Sequence, residues 1–208
     1  MITVYPIGTT IYRPEGCYNG YTVLCFPLEE GVFLVDMNGN VVNEWGVKAI
    51  RAKLLRNGNL LVVERRRPGR NRVLEFNWGD RLVWEYEPPG PAHHDVERLE
   101  NGNTLLLYQE VVPEEYQKKI RDPRRRSARA LGGVGVVSDV VLEVTPDKEV
   151  AWEWHEYEHL DINRYCEICV LHDWTHTNTV QTLPENKWYD AGDERFRPGN
   201  VLISLRNL

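Results

Sequence analysis

Two kinds of hairpin alternate along this chain in a fixed order, and that alternation restricts the fold more than any other feature of the sequence. In the first kind, the strand-like runs Val32-Phe33-Leu34-Val35-Asp36 and Val41-Val42-Asn43-Glu44-Trp45 flank Asn38-Gly39. Asn-Gly suits a tight hairpin in which both central residues accept positive φ. The form returns as Val73-Leu74-Glu75-Phe76 and Leu82-Val83-Trp84-Glu85-Tyr86 around Trp78-Gly79-Asp80, then as Val141-Leu142-Glu143-Val144 and Val150-Ala151-Trp152-Glu153-Trp154 around Pro146-Asp147. In the second kind, the run from Ala52 to Val63 matches that from Val96 to Leu107. Their turn residues Asn57 and Asn101 stand 44 residues apart, the period of a four-stranded propeller blade. A third copy is split: Val180 to Pro184 gives its first strand and Pro198-Gly199-Asn200 its turn. Val201 to Leu205 gives the second strand, with residues 185–197 inserted as a loop.

Two hairpins per period make a four-stranded antiparallel sheet, and such sheets in series make a β-propeller. The sequence therefore predicts an all-β chain, one domain over residues 1–208, with residues 1–31 as an extended lead-in. A β-sandwich with chance Asn-Gly turns is the competing architecture, but it gives no reason for two motifs to alternate. The material suffices for about three to four blades, an apparently incomplete propeller. Open strand edges would invite a homodimer. Residues 109–138 interrupt the repeat, so that Trp84 and Trp152 are 68 residues apart. Within them Pro113 to Arg121 reads as a short helix with Pro113 in its first turn. Arg124, Arg125, Arg126 and Arg129 follow, and Gly132-Gly133-Val134-Gly135 reads as a flexible return. This basic segment is either a solvated loop, the preferred reading, or a cationic lid that draws anionic substrates inward.

A net charge of −6 argues against nucleic acid or an anionic membrane as a general partner. The start, Met1-Ile2-Thr3-Val4-Tyr5-Pro6, lacks the form of a secretory signal and no run is long enough to span a bilayer, so the expected location is cytoplasmic. Cys166-Glu167-Ile168-Cys169 is a C-x-x-C, and with His172 and His176 it could supply four zinc ligands. The short step from Cys169 to His172 leaves little chain to wrap an ion. A redox or incidental pair is preferred, and no cofactor is expected.

Chemically useful side chains concentrate in His172-Asp173-Trp174-Thr175-His176-Thr177-Asn178. On an extended chain His176 and Asn178 point the same way. His93-His94-Asp95 occupies the equivalent place one repeat earlier: aligning Val96 with Val180 sets His94 opposite Asn178. Inner blade edges converge on a channel, where these residues would form a ring of neutral donors for an oxyanion. Histidines satisfied at strand ends are the plainer alternative. Arg206, after the last strand, offers a planar fork matched to sulfate or carboxylate, or is a surface arginine at a frayed end.

Several motifs in order resemble the arylsulfotransferase family of β-propellers: Gly8-Thr9-Thr10-Ile11-Tyr12, Gly20-Tyr21-Thr22, Phe33 to Asn40, His93-His94-Asp95 before Asn101-Gly102-Asn103, Trp152-Glu153-Trp154-His155, Asp173 to Asn178, and Ser204-Leu205-Arg206-Asn207. The resemblance implies sulfuryl transfer from an aryl sulfate to a phenolic acceptor without a nucleotide sulfate donor. It places His94 (or His93), His176 and Asn178 around the sulfate with Arg206 as the sulfate-binding cation, and His93 and Trp174 on the substrate. It also implies a nucleophilic histidine on a later blade, past Leu208, for which His155, His159 and His172 are poor substitutes. A non-catalytic propeller that binds an anion or a protein partner is the alternative.

Overall fold

A computed structural model describes residues 8–26, 30–66, 70–128 and 135–208. Among the described residues thirteen strands form four antiparallel sheets. The first holds β1 (Thr22–Cys25), β2 (Val32–Val35) and β3 (Val41–Trp45). The second holds β4 (Ala49–Leu54), β5 (Leu60–Glu64), β6 (Val73–Phe76) and β7 (Leu82–Tyr86). The third holds β8 (Ala92–Arg98), β9 (Thr104–Val111), β10 (Val137–Val144) and β11 (Val150–His155), and the last pairs β12 (Thr177–Thr182) with β13 (Val201–Leu205). Strands pair in chain order, as in successive propeller blades, with β4, β8 and β12 side by side at the inner edge. The lead-in expectation needs correction, because Thr22–Cys25 pairs with Val32–Val35 as a strand of the first blade.

Middle blades are covered on both faces, which explains why their inner strands read as unbroken apolar runs rather than alternating ones. On β5, Leu60 and Val62 pack toward the first blade with Val32, Leu34 and Trp45, while Leu61 and Val63 pack toward the third with Val96, Leu106 and Val140. On β9 the same alternation sends Leu106 and Tyr108 to the second blade and Leu105 and Leu107 to the fourth, where Val180 and Ile203 meet them. Each such side chain, fully buried, contributes about 1.5–3 kcal/mol. A one-residue slip would turn both faces at once.

The repeats also staple neighbouring blades through polar groups at matching positions. Asn43 Nδ2 donates to the carbonyl of Trp78 at 2.9 Å, and its counterpart Trp84 Nε1 donates to that of Pro146 at 2.9 Å. Within single blades the second kind of hairpin is tied in the same repeating way: Asn59 Nδ2 reaches Glu75 at 2.7 Å and Asn103 Nδ2 reaches Glu143 at 2.6 Å. The buried Asp95 on β8 ties three inner strands together: it accepts from Arg51 Nε (3.1 Å) and Lys53 Nζ (3.0 Å) on β4 and from the backbone of Val180 (3.2 Å) on β12.

The first kind of turn differs from the two-residue form its Asn-Gly suggested. Gly39 is left-handed (φ +84°) while Asn38 is not, and the strands shift register beside it. Asp80 (φ +58°) and Lys148 (φ +71°) take the same place in the other copies. A longer turn closed by one left-handed residue serves all three, so glycine is needed only where nothing else pays its cost.

The basic insertion is shorter and better packed than a solvated loop. Strand β9 runs on to Val111 and β10 begins at Val137. Between them lie two short helices, α1 (Glu114–Gln117) and α2 (Pro123–Ser127), with Pro113 capping rather than opening the first. Val112, Ile120 and Val136 bury against Ile162 and Trp174. Arg125 is buried too, its guanidinium 4.5 Å from the Tyr165 ring centre, and Arg124 is held by Asp122 at 2.8 Å. Arg129 and Gly132 to Val134 lie outside the described residues. A further short helix, α3 (Glu156–His159), follows β11, and the 185–197 insertion carries α4 (Lys187–Asp190). Among the described residues no helix is long and apolar enough to cross a membrane.

Candidate functional site

Two irregularities in the inner strands build the site. Strand β8 pairs Ala92 with Tyr108 and then Val96 with Leu106, so that His93, His94 and Asp95 stand opposite Leu107 alone. On β12 the register skips between Thr177 and Thr179, leaving Asn178 as the extra residue. Bulges of this kind re-aim side chains. Just here His94 (φ +53°) and His176 (φ +52°) adopt a left-handed backbone that costs a non-glycine residue energy and is tolerated where surrounding structure imposes it. The result is convergence: the two imidazoles, from neighbouring blades, lie 4.8 Å apart between ring centres.

They face a cavity of about 240 Å³ lined by Asn71, Pro91, Ala92, His93, His94, Gln109, Asp139, Asp173 and His176. Two of the three imidazoles have a carboxylate beside them, and the third, His94, lies between the other two rings. His176 Nδ1 is 2.5 Å from Asp173 Oδ2, and its Nε2 is 3.1 Å from Arg206 Nη1. A guanidinium only donates, so Nε2 of His176 accepts and its Nδ1–H donates to Asp173. His93 Nε2 lies 3.0 Å from Asp139 Oδ1, a close polar contact in which the N–H is not squarely aimed at the oxygen. His93 Nδ1 and His94 Nδ1 are 2.9 Å apart.

Backbone bonds fix these partners. Val137 N–H donates to His172 O (2.8 Å) and Trp174 N–H to Val137 O (3.1 Å), placing Asp173 beside β10. Arg206 N–H donates to His176 O and Asn207 N–H to Thr175 O, both at 3.1 Å. Beneath the site sits a buried acidic pair. Asp139 Oδ2 accepts from Thr177 N–H (2.6 Å) and Thr175 Oγ1 (2.9 Å), while Glu156 accepts from Thr177 Oγ1 (2.5 Å) and Asp139 N–H (3.3 Å). Burial works to raise both carboxyls. For Asp139 the contact with His93 and the bonds from Thr177 and Thr175 outweigh it and hold the group low. Glu156 is pushed up to about 7 by burial and then by the Asp139 charge. Burial, with His93 and His176 adding to it, drives His94 down to about 4, so it is neutral near pH 7.

A family model described as Arylsulfotransferase (ASST) matches residues 21–189. The chain belongs to the arylsulfotransferase family. No curated protein matches it. Of the residues that family resemblance singled out, His93, His94 and His176 line one cavity and Arg206 touches His176. Asn178 does not line it. With φ at His176 left-handed, the chain there is not extended, and residues two apart no longer share a side. Trp174 is also elsewhere: its indole is buried with Val112, Ile120, Val136 and Ile162 and donates to Arg164 O at 2.8 Å. It holds the insertion rather than facing the cavity.

The expected ring of neutral donors is corrected as well, because both nitrogens of His176 and one of His94 are already engaged. The zinc alternative loses its thiolates: Cys166 and Cys169 form a disulfide, and His172 contributes a backbone carbonyl to Val137. Among the described residues no group of three or more histidine, cysteine or acidic side chains could hold a metal ion. Sequence reasoning missed Asp139, Glu156 and Gln109. Asp139 had a signal, since an acid inside Val136-Val137-Ser138-Asp139-Val140-Val141-Leu142 must be partnered if that strand is buried.

Proposed function

We propose that this chain carries the sulfuryl-holding site of an aryl-sulfate-dependent sulfotransferase, with the donor's anionic head in the cavity between β8 and β12. The observation that carries the reading is the meeting of His94 and His176 at bulges of adjacent blades, with Arg206 on the second ring. Sulfuryl transfer resembles phosphoryl transfer in placing charge on peripheral oxygens, so prepositioned donors lower its barrier. Arg206 is exposed and keeps further N–H groups for those oxygens while one holds His176 in place. Asp173, on the other side of that ring, fixes its orientation. In this reading the nucleophilic histidine implied by the resemblance lies on a further blade, and the acceptor is a phenol. The Cys166–Cys169 disulfide supports an oxidising compartment over the cytoplasmic one expected from the sequence.

The test is transfer from 4-nitrophenyl sulfate to phenol, together with binding of the sulfate ester followed separately. Arg206→Ala and His176→Ala are each expected to weaken ester binding by this chain and, in a protein that also carries the nucleophilic histidine, to cost about 3 kcal/mol of transition-state stabilisation, on the order of 100-fold in rate. A protein that neither transfers the group nor binds the ester would overturn the reading.

A further inference from the structure

Of the six nitrogens on the three imidazoles around the cavity, five are spoken for. Arg206 and Asp173 take both of His176, Asp139 and His94 face the two of His93, and His93 takes Nδ1 of His94. The sixth, His94 Nε2, has no partner among the described residues and belongs to a side chain that lines the cavity.

The protonation of that nitrogen follows from its neighbours. A carboxylate 3.0 Å from His93 Nε2 favours a hydrogen there, because a bare lone pair facing Asp139 would be repelled. His93 Nδ1 is then an acceptor, and the hydrogen between the two rings belongs to His94 Nδ1. His94 Nε2 is left as a lone pair on a ring that lines the cavity. Asp139 is itself fixed by Thr175 Oγ1 and Thr177 N–H, so the whole chain of partners is anchored in the buried floor.

A lone pair repels the oxygen of an anion, whereas an N–H attracts it. The cavity walls also carry the carboxylates of Asp139 and Asp173, a poor setting for an anion unless positive charge arrives with it. We infer that an oxyanion entering this cavity brings a proton with it, bound at His94 Nε2, and that Asp139 and His93 are the positioning residues that keep that nitrogen open. The inference rests on the sulfuryl-holding reading above and adds to it what the site does with protons.

The charged and titratable groups facing His94 are His93 on its own strand, Asp139 on β10, Asp173 before β12, and His176 with Arg206 behind it. Together with burial they leave the empty-site imidazole neutral, its pKa near about 4. A unit negative charge at roughly 4 Å and an effective dielectric of about 20 favours the imidazolium enough to raise that value by on the order of three pH units. That carries it from well below physiological pH to the neighbourhood of neutrality. The bond formed is Nε2–H: one proton is taken up from solvent at His94 Nε2, and His94 Nδ1–H goes on donating to His93 Nδ1.

Titration calorimetry of the whole chain with 4-nitrophenyl sulfate tests this, run at pH 6 in two buffers of different ionisation enthalpy. Uptake of close to one proton per anion is expected, with affinity falling about tenfold per pH unit between about pH 5 and 7 and levelling off above neutrality. His94→Gln should bind with no uptake and no such pH dependence. Nitrogen-15 spectra of the unsubstituted protein's histidines give a second readout: without ligand, His94 should be protonated at Nδ1 and bare at Nε2, and saturating ester should protonate Nε2. His93→Phe should let the ligand-free ring exchange between tautomers. Tight binding with no net proton uptake, or uptake that persists in His94→Gln, overturns the inference and leaves the sulfuryl-holding reading standing. No binding between pH 5.5 and 8 overturns both.

Discussion

Glu156 is fully buried beside Asp139, and its carboxyl is pushed from 4.5 to about 7. Folding therefore tightens its hold on a proton. Its contribution to stability is greatest below about pH 4.5 and is lost as pH rises through about 7. At 1.36 kcal/mol per pH unit of displacement, the loss is about 3 kcal/mol. His94 works in the other direction: its folded value lies below its ordinary one, so it contributes stability above pH 6.5 that is lost as pH falls toward about 4. That opposing contribution is the smaller, since the ring is partly open to solvent. The two partly cancel, and the unsubstituted protein should show a shallow profile below pH 6.5. The difference between it and Glu156→Gln isolates the carboxyl. Urea unfolding at half-unit steps from pH 4.5 to 8 should show the variant gaining about 3 kcal/mol relative to the parent across that range, whatever constant offset the amide introduces. Parallel profiles would mean that the acid pair is not coupled as the geometry requires.

Reducing the Cys166–Cys169 disulfide, or replacing both cysteines by serine, should cost about 2 kcal/mol from the short loop it closes, read as a lower urea midpoint. Trp84→Phe removes the indole N–H that holds Pro146 O while keeping a ring beside Arg98, and should cost about 1 kcal/mol by the same measurement. No change there would mean that the staple between blades two and three is not a contributor.

The sequence made the blades legible because both signals that define them are local. Asn57-Gly58-Asn59 and Asn101-Gly102-Asn103 form matching turns, Gly58 and Gly102 both left-handed, and the split third copy appears as β12 and β13 around its insertion. The insertion at 112–136 was harder to read, because its apolar anchors Val112, Ile120 and Val136 are spread along a basic segment and find Trp174 and Ile162 far off in the chain. Periodicity cannot report a cluster assembled from such distant pieces.

The site depends on what a register argument cannot see. Setting Val96 against Val180 puts His94 opposite Asn178, but the strands do not keep register to that point: β8 bulges before Val96 and β12 after Thr177. The left-handed turns at His94 and His176 then make those two residues the conformational equivalents. Motif spacing brought the right segments together while the bulges chose which side chains meet. The same bulges explain why the floor is acidic. Residues lifted out of the ladder leave backbone N–H groups such as that of Thr177 without a strand partner, and a buried donor must be paired. Asp139 accepts it at 2.6 Å and presents its other oxygen to His93. One carboxylate thus satisfies the irregular backbone and orders the imidazoles above it, so the structural and chemical demands on Asp139 coincide. A variant that relieved the bulge would remove the reason for that charge to be buried there.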